Sequence, residues 1–351
     1  MRLATDTIVK PLPAHLFTLH EGSAEMRWEA MAGRGYHTPN DRFFVRNHTS
    51  TPRVDHTTWR LRLHGRGLRR HLEIGYDQLR AMPYRVRDVA LECAGNGRRL
   101  YGAQQREATP GMQWGLGAVG VARWKGVALR HLLELAGLRG DAVDVLATGL
   151  DEPFVHEGEN LGHVRRPLPV EKALDDVLVA YEMNGAPLPP DHGFPARLIV
   201  PGWAGIASVK WLGDLEVSTS ELFTPWNTLF YPGVTTMTVK SAFELPWPAV
   251  LKAGARHSLY GRSWSGTGRI HHVEVSADNG LTWHLAEQRG HLRDAWLLWR
   301  IAWTPREEGP HALLARAVDD TGARQPLRSA RHPFGYHFDA VVRHPILVTG
   351  G

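Results

Sequence analysis

The sequence predicts an α+β domain over residues 1–232 followed by an all-β sandwich of immunoglobulin-like type over 233–351. Three observations lead there. In the first two-thirds, strand patterns are interrupted by few helical ones and in no regular β-α-β order, which indicates α+β rather than a doubly wound sheet. The texture changes at 223–235, "FTPWNTLFYPGVT". Beyond it, short alternating stretches punctuated by turns continue almost throughout, the pattern of a sandwich.

The elements follow in order. In 54–64, "VDHTTWRLRLH", Trp59, Leu61 and Leu63 alternate with Arg60, Arg62 and His64, so a half-buried strand is expected. "RDVALEC" is more continuously apolar and reads as a buried strand ending at Cys93. "KGVALRHLLELAGL" puts Leu129, Leu132, Leu133 and Ala136 on one helical face, with Gly137 as the C-terminal stop. "DAVDVLATG", "VLVAYEM", "ARLIVPG" and "VKWLGDLEVS" read as strands, and Asn184-Gly185 as a tight turn. In the second domain "HSLYGRSW", "RIHHVEVSADNGLTWHLAE", "WLLWRIAWTP" and "HALLARAVDDTG" follow. Asp278-Asn279-Gly280 marks a turn there, and Trp299, Ile301 and Trp303 share one strand face.

Composition narrows the function. A hydrophobic content of 43% with 22% charged residues is that of a globular protein with a full core. The single cysteine excludes an intramolecular disulfide and a zinc site built from several thiolates. The 41 Lys and Arg against 36 Asp and Glu leave a net charge of +5, but the arginines are scattered, with no dense run and no groove-reading module. That pattern suits a small anion or an anionic cofactor, and no nucleic acid is expected. No window approaches the roughly 18 apolar residues of a membrane span. The opening "MRLATDTIVKPLPAHLF" lacks the apolar core of a leader. A cytoplasmic location is therefore expected, or a periplasmic one if the chain was trimmed.

Four stretches carry candidate chemistry. "GLGAVG" has Gly115, Gly117 and Gly120 at dinucleotide-loop spacing, yet polar residues precede it and no helix follows, so it reads as loop geometry. In "ALECAGNGRR", Cys93 is either a small buried hydrophobe or a functional thiolate. Gly95 and Gly97 allow close approach there, and Arg98 and Arg99 favour the thiolate form. "DRFFVRNH" gathers Arg46, Asn47 and His48 behind two phenylalanines, and "DHGFPARLIVPGWAGIASVKW" adds His192, Arg197 and Lys210. Each alone reads equally as a strand end or a turn; together they suit an anion.

In family order, "FFVRNH", "LECAGNGR", "GAVGVARWKGVALRHLLELAG", "VLVAYEMNGAPLPPDHGFPARLIVPGWAG" and "SVKWL" resemble the sulfite oxidase family of molybdenum enzymes across most of residues 41–217. The β-rich remainder is similar to that family's dimerisation domain. The resemblance implies a sulfite oxidase-type molybdopterin-binding domain, a molybdopterin cofactor carrying molybdenum, and Cys93 as the protein's thiolate ligand to the metal. It implies that Phe44, Val45, Arg46, Asn47 and His48 line the pterin, with His192 and Arg197 holding it and Ser208, Val209 and Lys210 in the next contact stretch. Asp151, in "GLDEP", matches a cofactor-contacting acid. Arg46 is the implied substrate-side cation, Tyr231 in "FYPG" the active-site tyrosine, and Trp114 with either Arg98 or Arg99 the other pocket positions.

The implied reaction is oxygen-atom transfer in sulfur metabolism, with sulfite oxidised to sulfate. No haem or flavin signature is visible, so a separate acceptor, a c-type cytochrome, is expected to take the electrons from a homodimer. Departures from the family bear on the substrate. The familiar animal loop is C-A-G-N-R-R, and the additional Gly97 leaves Arg98 and Arg99 ambiguous. Ala207 and Phe334 stand where animal members carry arginines, which leaves room for another sulfur oxyanion or a bound thiol persulfide. Alternatives are a nitrate reductase-type enzyme on the same scaffold and a cofactor-free binding protein that kept the fold.

Overall fold

Leu61 and Leu63 are fully buried while Arg60 and Arg62 are exposed, so the alternating stretch forms the expected one-faced strand, Arg60–His64. This is seen in a computed structural model, which describes residues 7–291 and 294–350. Residues 1–6, where the reading for a leader begins, lie outside them. The strand joins a five-stranded sheet in the spatial order Arg165–Pro169, Asp144–Gly149, Leu212–Ser218, Arg60–His64, Leu72–Gly75. Only the pairing of Arg60–His64 with Leu212–Ser218 is parallel there. A second sheet runs Ala186–Pro187, Leu178–Met183, Val119–Ala128, Tyr84–Glu92, with Arg197–Ile199 also paired to Leu178–Met183. Leu61, Leu63 and Leu215 of the first sheet share one core with Val127, Val179 and Leu198 of the second. Burial of this apolar area is the main stabilising term.

Helix Leu129–Leu135 packs into that core through Leu129, Leu132 and Leu133, and Gly137 ends it in the left-handed region at φ 72°. Its N-terminus falls later than "KGVALR" suggested, because Lys125–Ala128 complete the preceding strand. The turn Asn184-Gly185 takes φ 54° and 81°, as a two-residue hairpin requires. "VKWLGDLEVS" differs from expectation at its start. Only Leu212–Ser218 is strand; Trp211 sits at φ 51°, its indole N–H donating to Pro190 O at 2.7 Å, and this turn directs Lys210 away from the sheet.

The C-terminal third is a sandwich. A four-stranded sheet (Lys240–Phe243, His257–Trp264, Trp296–Trp303, Glu287–His291) faces a five-stranded one (Ala249–Lys252, Arg343–Thr349, Gly309–Asp319, Ile270–Ser276, His284–Leu285). Phe243, Leu259, Val273, Trp299, Leu313 and Ile346 fill the space between them. Ile301 and Trp303 pack on the same side as Trp299, as the alternation predicts. The opposite face of that strand is also covered. Trp296 and Leu298 join Met26, Trp28, Val119, Val121 and Phe338 in a core that spans both parts of the chain. The Trp296 indole donates to Tyr36 O at 2.8 Å, and Tyr36 Oη donates back to Trp296 O at 2.7 Å. Among the described residues, no helix is long and apolar enough to cross a membrane.

Candidate active site

Cys93 is the first residue beyond strand Tyr84–Glu92, and its loop is held from several sides. Its N–H donates to Ala118 O at 2.9 Å, and its carbonyl accepts from Asn96 N at 2.8 Å. Beneath it the Glu92 carboxylate accepts from Asn96 Nδ2 and from Lys240 Nζ, both at 2.8 Å. Lys240 comes from the sandwich, and both charged side chains are almost fully buried. Gly97 turns the loop at φ 86°, in a conformation that favours glycine. Arg98 and Arg99 follow it at the start of helix Arg99–Gln105, where successive side chains point roughly 100° apart. Arg98 is buried, donating to Met112 O at 2.9 Å and lying 4.9 Å from the centre of the Tyr336 ring. Arg99 is exposed and lies 5.3 Å from the centre of the Trp247 ring.

Two cavities meet at the cysteine. The inner one is lined by Phe44, Arg46, Asn47, His48, Asp151, His192, Arg197, Ser208, Val209 and Lys210, together with Cys93 and Tyr231. The outer one is lined by Arg98, Met112, Trp114, Phe334 and Tyr336, again with Arg46, Cys93 and Tyr231. The structure therefore brings together nearly every candidate residue. Two fall outside. Val45 turns its side chain away, packing with Ile8, Phe17 and Ala24, because neighbours on strand Val45–Arg46 point to opposite sides. Arg99 lies away from both cavities, so Arg98 is the arginine of the loop that faces them. Ala207 is buried in the first core rather than in either cavity, whereas Phe334 does line the outer one.

The inner cavity is strongly cationic. Arg197 donates to His192 O at 3.0 Å and Ser208 O at 2.9 Å, and Lys210 to Asn47 Oδ1 and to Asp191 O at 2.9 Å. Among the described residues no carboxylate lies within ion-pairing distance of Arg46, Arg98, Arg197 or Lys210. Burial pulls Arg197 down to about 9 and Lys210 well below its ordinary value, Arg197 adding to the second effect. Burial, reinforced by nearby cations, also holds His48 and His192 neutral. Buried cations without an ion-pair partner are costly, and a bound anion offsets that cost. Asp151 is the counterpoint: 1% exposed, its Oδ1 has no hydrogen-bond partner, and burial raises it to about 6. The donor set thus fits a ligand with an anionic group at one end and hydrogen-bond donors elsewhere. Among the described residues no cluster of three or more His, Cys, Asp or Glu is placed to hold a metal. One thiolate suffices only for a metal held chiefly by its own cofactor.

Three features escaped sequence reasoning. Lys10 Nζ reaches Asn40 O at 3.3 Å, Phe43 O, and His192 Nε2 at 3.4 Å, and burial lowers it to about 7. Asp191 is fully buried and accepts from Val9 N at 2.9 Å, Lys10 N at 2.8 Å and Thr51 Oγ1 at 2.6 Å, pinning the N-terminal segment beside the site. Its position next to His192 was the available signal; Lys10 had none. In the "GLGAVG" loop, the N–H groups of Gly115 and Gly117 donate to the Glu25 carboxylate at 2.8 and 2.9 Å, and strand Val119–Ala128 follows. A Cβ on Gly117 would lie 1.6 Å from Met26 O, so glycine is required there by close approach.

Residues 48–226 match the oxidoreductase molybdopterin binding domain, and residues 233–336 the Mo-co oxidoreductase dimerisation domain. Fold and site are thus of the molybdopterin oxidoreductase class, and the cofactor is molybdenum bound by molybdopterin. The mitochondrial sulfite oxidase of Mus musculus is 36% identical over 321 residues, covering 83% of this chain and 58% of the mouse protein. Sulfite oxidase of Gallus gallus is 35% identical over 334 residues, covering 87% of this chain and 71% of its own. The sulfane dehydrogenase SoxCD from Paracoccus pantotrophus superposes with a TM-score of 0.80 at 29% identity, over 91% of this chain and 82% of that one. The chain belongs to the sulfite oxidase family.

Proposed function

We propose that the protein catalyses oxygen-atom transfer, oxidising sulfite to sulfate and passing the electrons to a separate acceptor, a c-type cytochrome. The observation that carries this reading is the shared wall: Arg46, Cys93 and Tyr231 line both cavities. The thiolate therefore stands between a cationic cradle and a vestibule with two guanidinium groups. The relatives named as sulfite oxidases support the same direction of reaction.

In this reading Arg197, Lys210 and the neighbouring backbone hold the phosphate end of molybdopterin, and His192, Asn47 and Phe44 line its ring system. The unpartnered oxygen of Asp151 accepts from the ring's N–H donors. Cys93 supplies the protein's thiolate ligand. When bound, the molybdenum centre supplies the two-electron oxygen-transfer chemistry. Arg46 and Arg98 draw a sulfur oxyanion into the outer cavity and hold it beside the cysteine. Tyr231 keeps its proton because burial raises it, and its hydroxyl lies 3.1 Å from His48 Nε2. With His48 neutral, this pair holds a donor against the anion without adding negative charge. Residues 233–351 form the contact of a homodimer and residues 1–232 bind the cofactor, with Phe334 and Tyr336 of the second part completing the outer cavity.

Steady-state turnover of molybdenum-replete protein with sulfite and cytochrome c tests the reading, run beside nitrate with a reduced dye. Sulfite-dependent cytochrome reduction is expected. Nitrate reduction without sulfite oxidation would overturn it in favour of the reverse reaction.

A further inference from the structure

The outer cavity carries more apolar wall than a small oxyanion explains. Its cations are Arg46 and Arg98, and the Arg98 guanidinium, 4.9 Å from the centre of the Tyr336 ring, already donates to Met112 O at 2.9 Å and Gly335 O at 3.4 Å. The remaining wall is apolar or aromatic: Met112, Trp114, Phe334 and Tyr336. Tyr336 stacks on Tyr231 with centroids 5.1 Å apart and planes 13° apart, and on Phe334 at 5.8 Å and 29°. This makes a continuous aromatic stack that starts at Tyr231, which lines the cavity beside Cys93, and runs through Tyr336 to Phe334. Sulfite has four heavy atoms and no carbon. It would meet the guanidinium groups and leave that surface wet.

We infer that this site also takes organic sulfinates, with a preference for aromatic ones, and oxidises them to sulfonates. The inference rests on the oxygen-transfer reading and names a substrate class for the same site. The monoanionic sulfinate head pairs with Arg46 and Arg98, while its organic substituent lies along Phe334 and Tyr336, where burial of apolar area rewards it. The reaction is RSO2⁻ + H2O → RSO3⁻ + 2H⁺ + 2e⁻. One sulfur–oxygen bond forms, both O–H bonds of a water break, sulfur loses an electron pair, and a one-electron acceptor takes one electron in each of two steps. Phe334 and Tyr336 are the specificity-determining residues, and an arginine in place of Phe334 would favour the carbon-free dianion.

The test measures kcat/KM of molybdenum-replete protein for benzenesulfinate, methanesulfinate and sulfite with ferricyanide as acceptor. Benzenesulfinate is expected to exceed methanesulfinate by roughly tenfold, the return on burying one ring, and Phe334→Arg to move the benzenesulfinate-to-sulfite ratio by at least as much toward sulfite. Turnover of sulfite without benzenesulfinate overturns the inference and leaves the oxygen-transfer reading standing; turnover of neither overturns that reading as well. Calorimetry on molybdenum-free protein gives a readout independent of turnover and of the variant's folding. Benzenesulfonate is expected to bind more tightly than sulfate, and equal or weaker binding overturns the inference.

Discussion

Asp151→Asn separates the cost of the site from its use. The carboxyl is buried, its Oδ1 is unpartnered, and Val164 N–H supports its Oδ2 at 3.4 Å. Burial raises it from 3.8 to about 6. At 1.36 kcal/mol per unit, the ionised acid destabilises the cofactor-free fold by about 3 kcal/mol. The sign follows from which form folding tolerates. Below the unfolded value of 3.8 both states hold the proton and nothing is lost; stability then falls as pH rises through about 6, where the loss is complete. Asparagine has the same shape, keeps an oxygen for Val164 and never ionises. The variant of the molybdenum-free protein is therefore expected to melt about 4 °C higher at pH 7.5 and to keep only a small part of that gain at pH 4. Calorimetric melting at the two pH values decides the matter. An undiminished gain at pH 4, or none at pH 7.5, would refute the reasoning. In cofactor-replete protein the expected effect reverses, with molybdenum content lowered, because the acceptor for the cofactor's donors is weakened.

Three further outcomes are expected. Cys93→Ser abolishes turnover while circular dichroism stays native, since the thiolate sits at a cavity wall; retained turnover would exclude its role as ligand. Lys240→Met strands the buried Glu92 carboxylate and costs about 3–5 kcal/mol in urea denaturation, most of it regained in the Lys240→Met/Glu92→Gln double variant; equal losses in both would show that the pair does not act as a unit. Tyr231→Phe lowers kcat on the order of 10²-fold with little change in KM, and an unchanged kcat would remove the hydroxyl from the reaction.

Much of the site was legible because its residues come in compact motifs. Arg46, Asn47 and His48 are consecutive, and His192, Arg197 and Lys210 fall within 19 residues. What was not legible lies in pairings across the chain. Lys240 meets Glu92 148 positions away, and Lys10 meets Asp191 181 positions away, contacts that no local pattern announces. The choice between Arg98 and Arg99 depends on the helix that begins there, Arg99–Gln105, which points successive side chains to different sides and which motif spacing alone does not reveal. Val45 shares a motif with neighbours that line the inner cavity, yet strand alternation turns its own side chain into a separate small core, a distinction that the motif as a block does not carry. The two-sided burial of residues 296–299 did have a signal: "WLLW" is a continuous apolar run, the mark of a strand covered on both faces.

The carboxylate of Glu25, held by the amides of Gly115 and Gly117, ties together two parts of the chain that approach the cysteine from different sides. Paired backbone N–H groups in a glycine loop are an anion trap in their own right, and here the chain's own side chain fills it. The loop continues from Trp114, which lines the outer cavity, while the strand that carries Glu25, Ser23–Met26, pairs with Val45–Arg46, whose arginine lines both cavities. One internal carboxylate thereby fastens the Trp114 segment to the Arg46 strand, so that a side chain lost 90 residues away from the loop would loosen both walls at once.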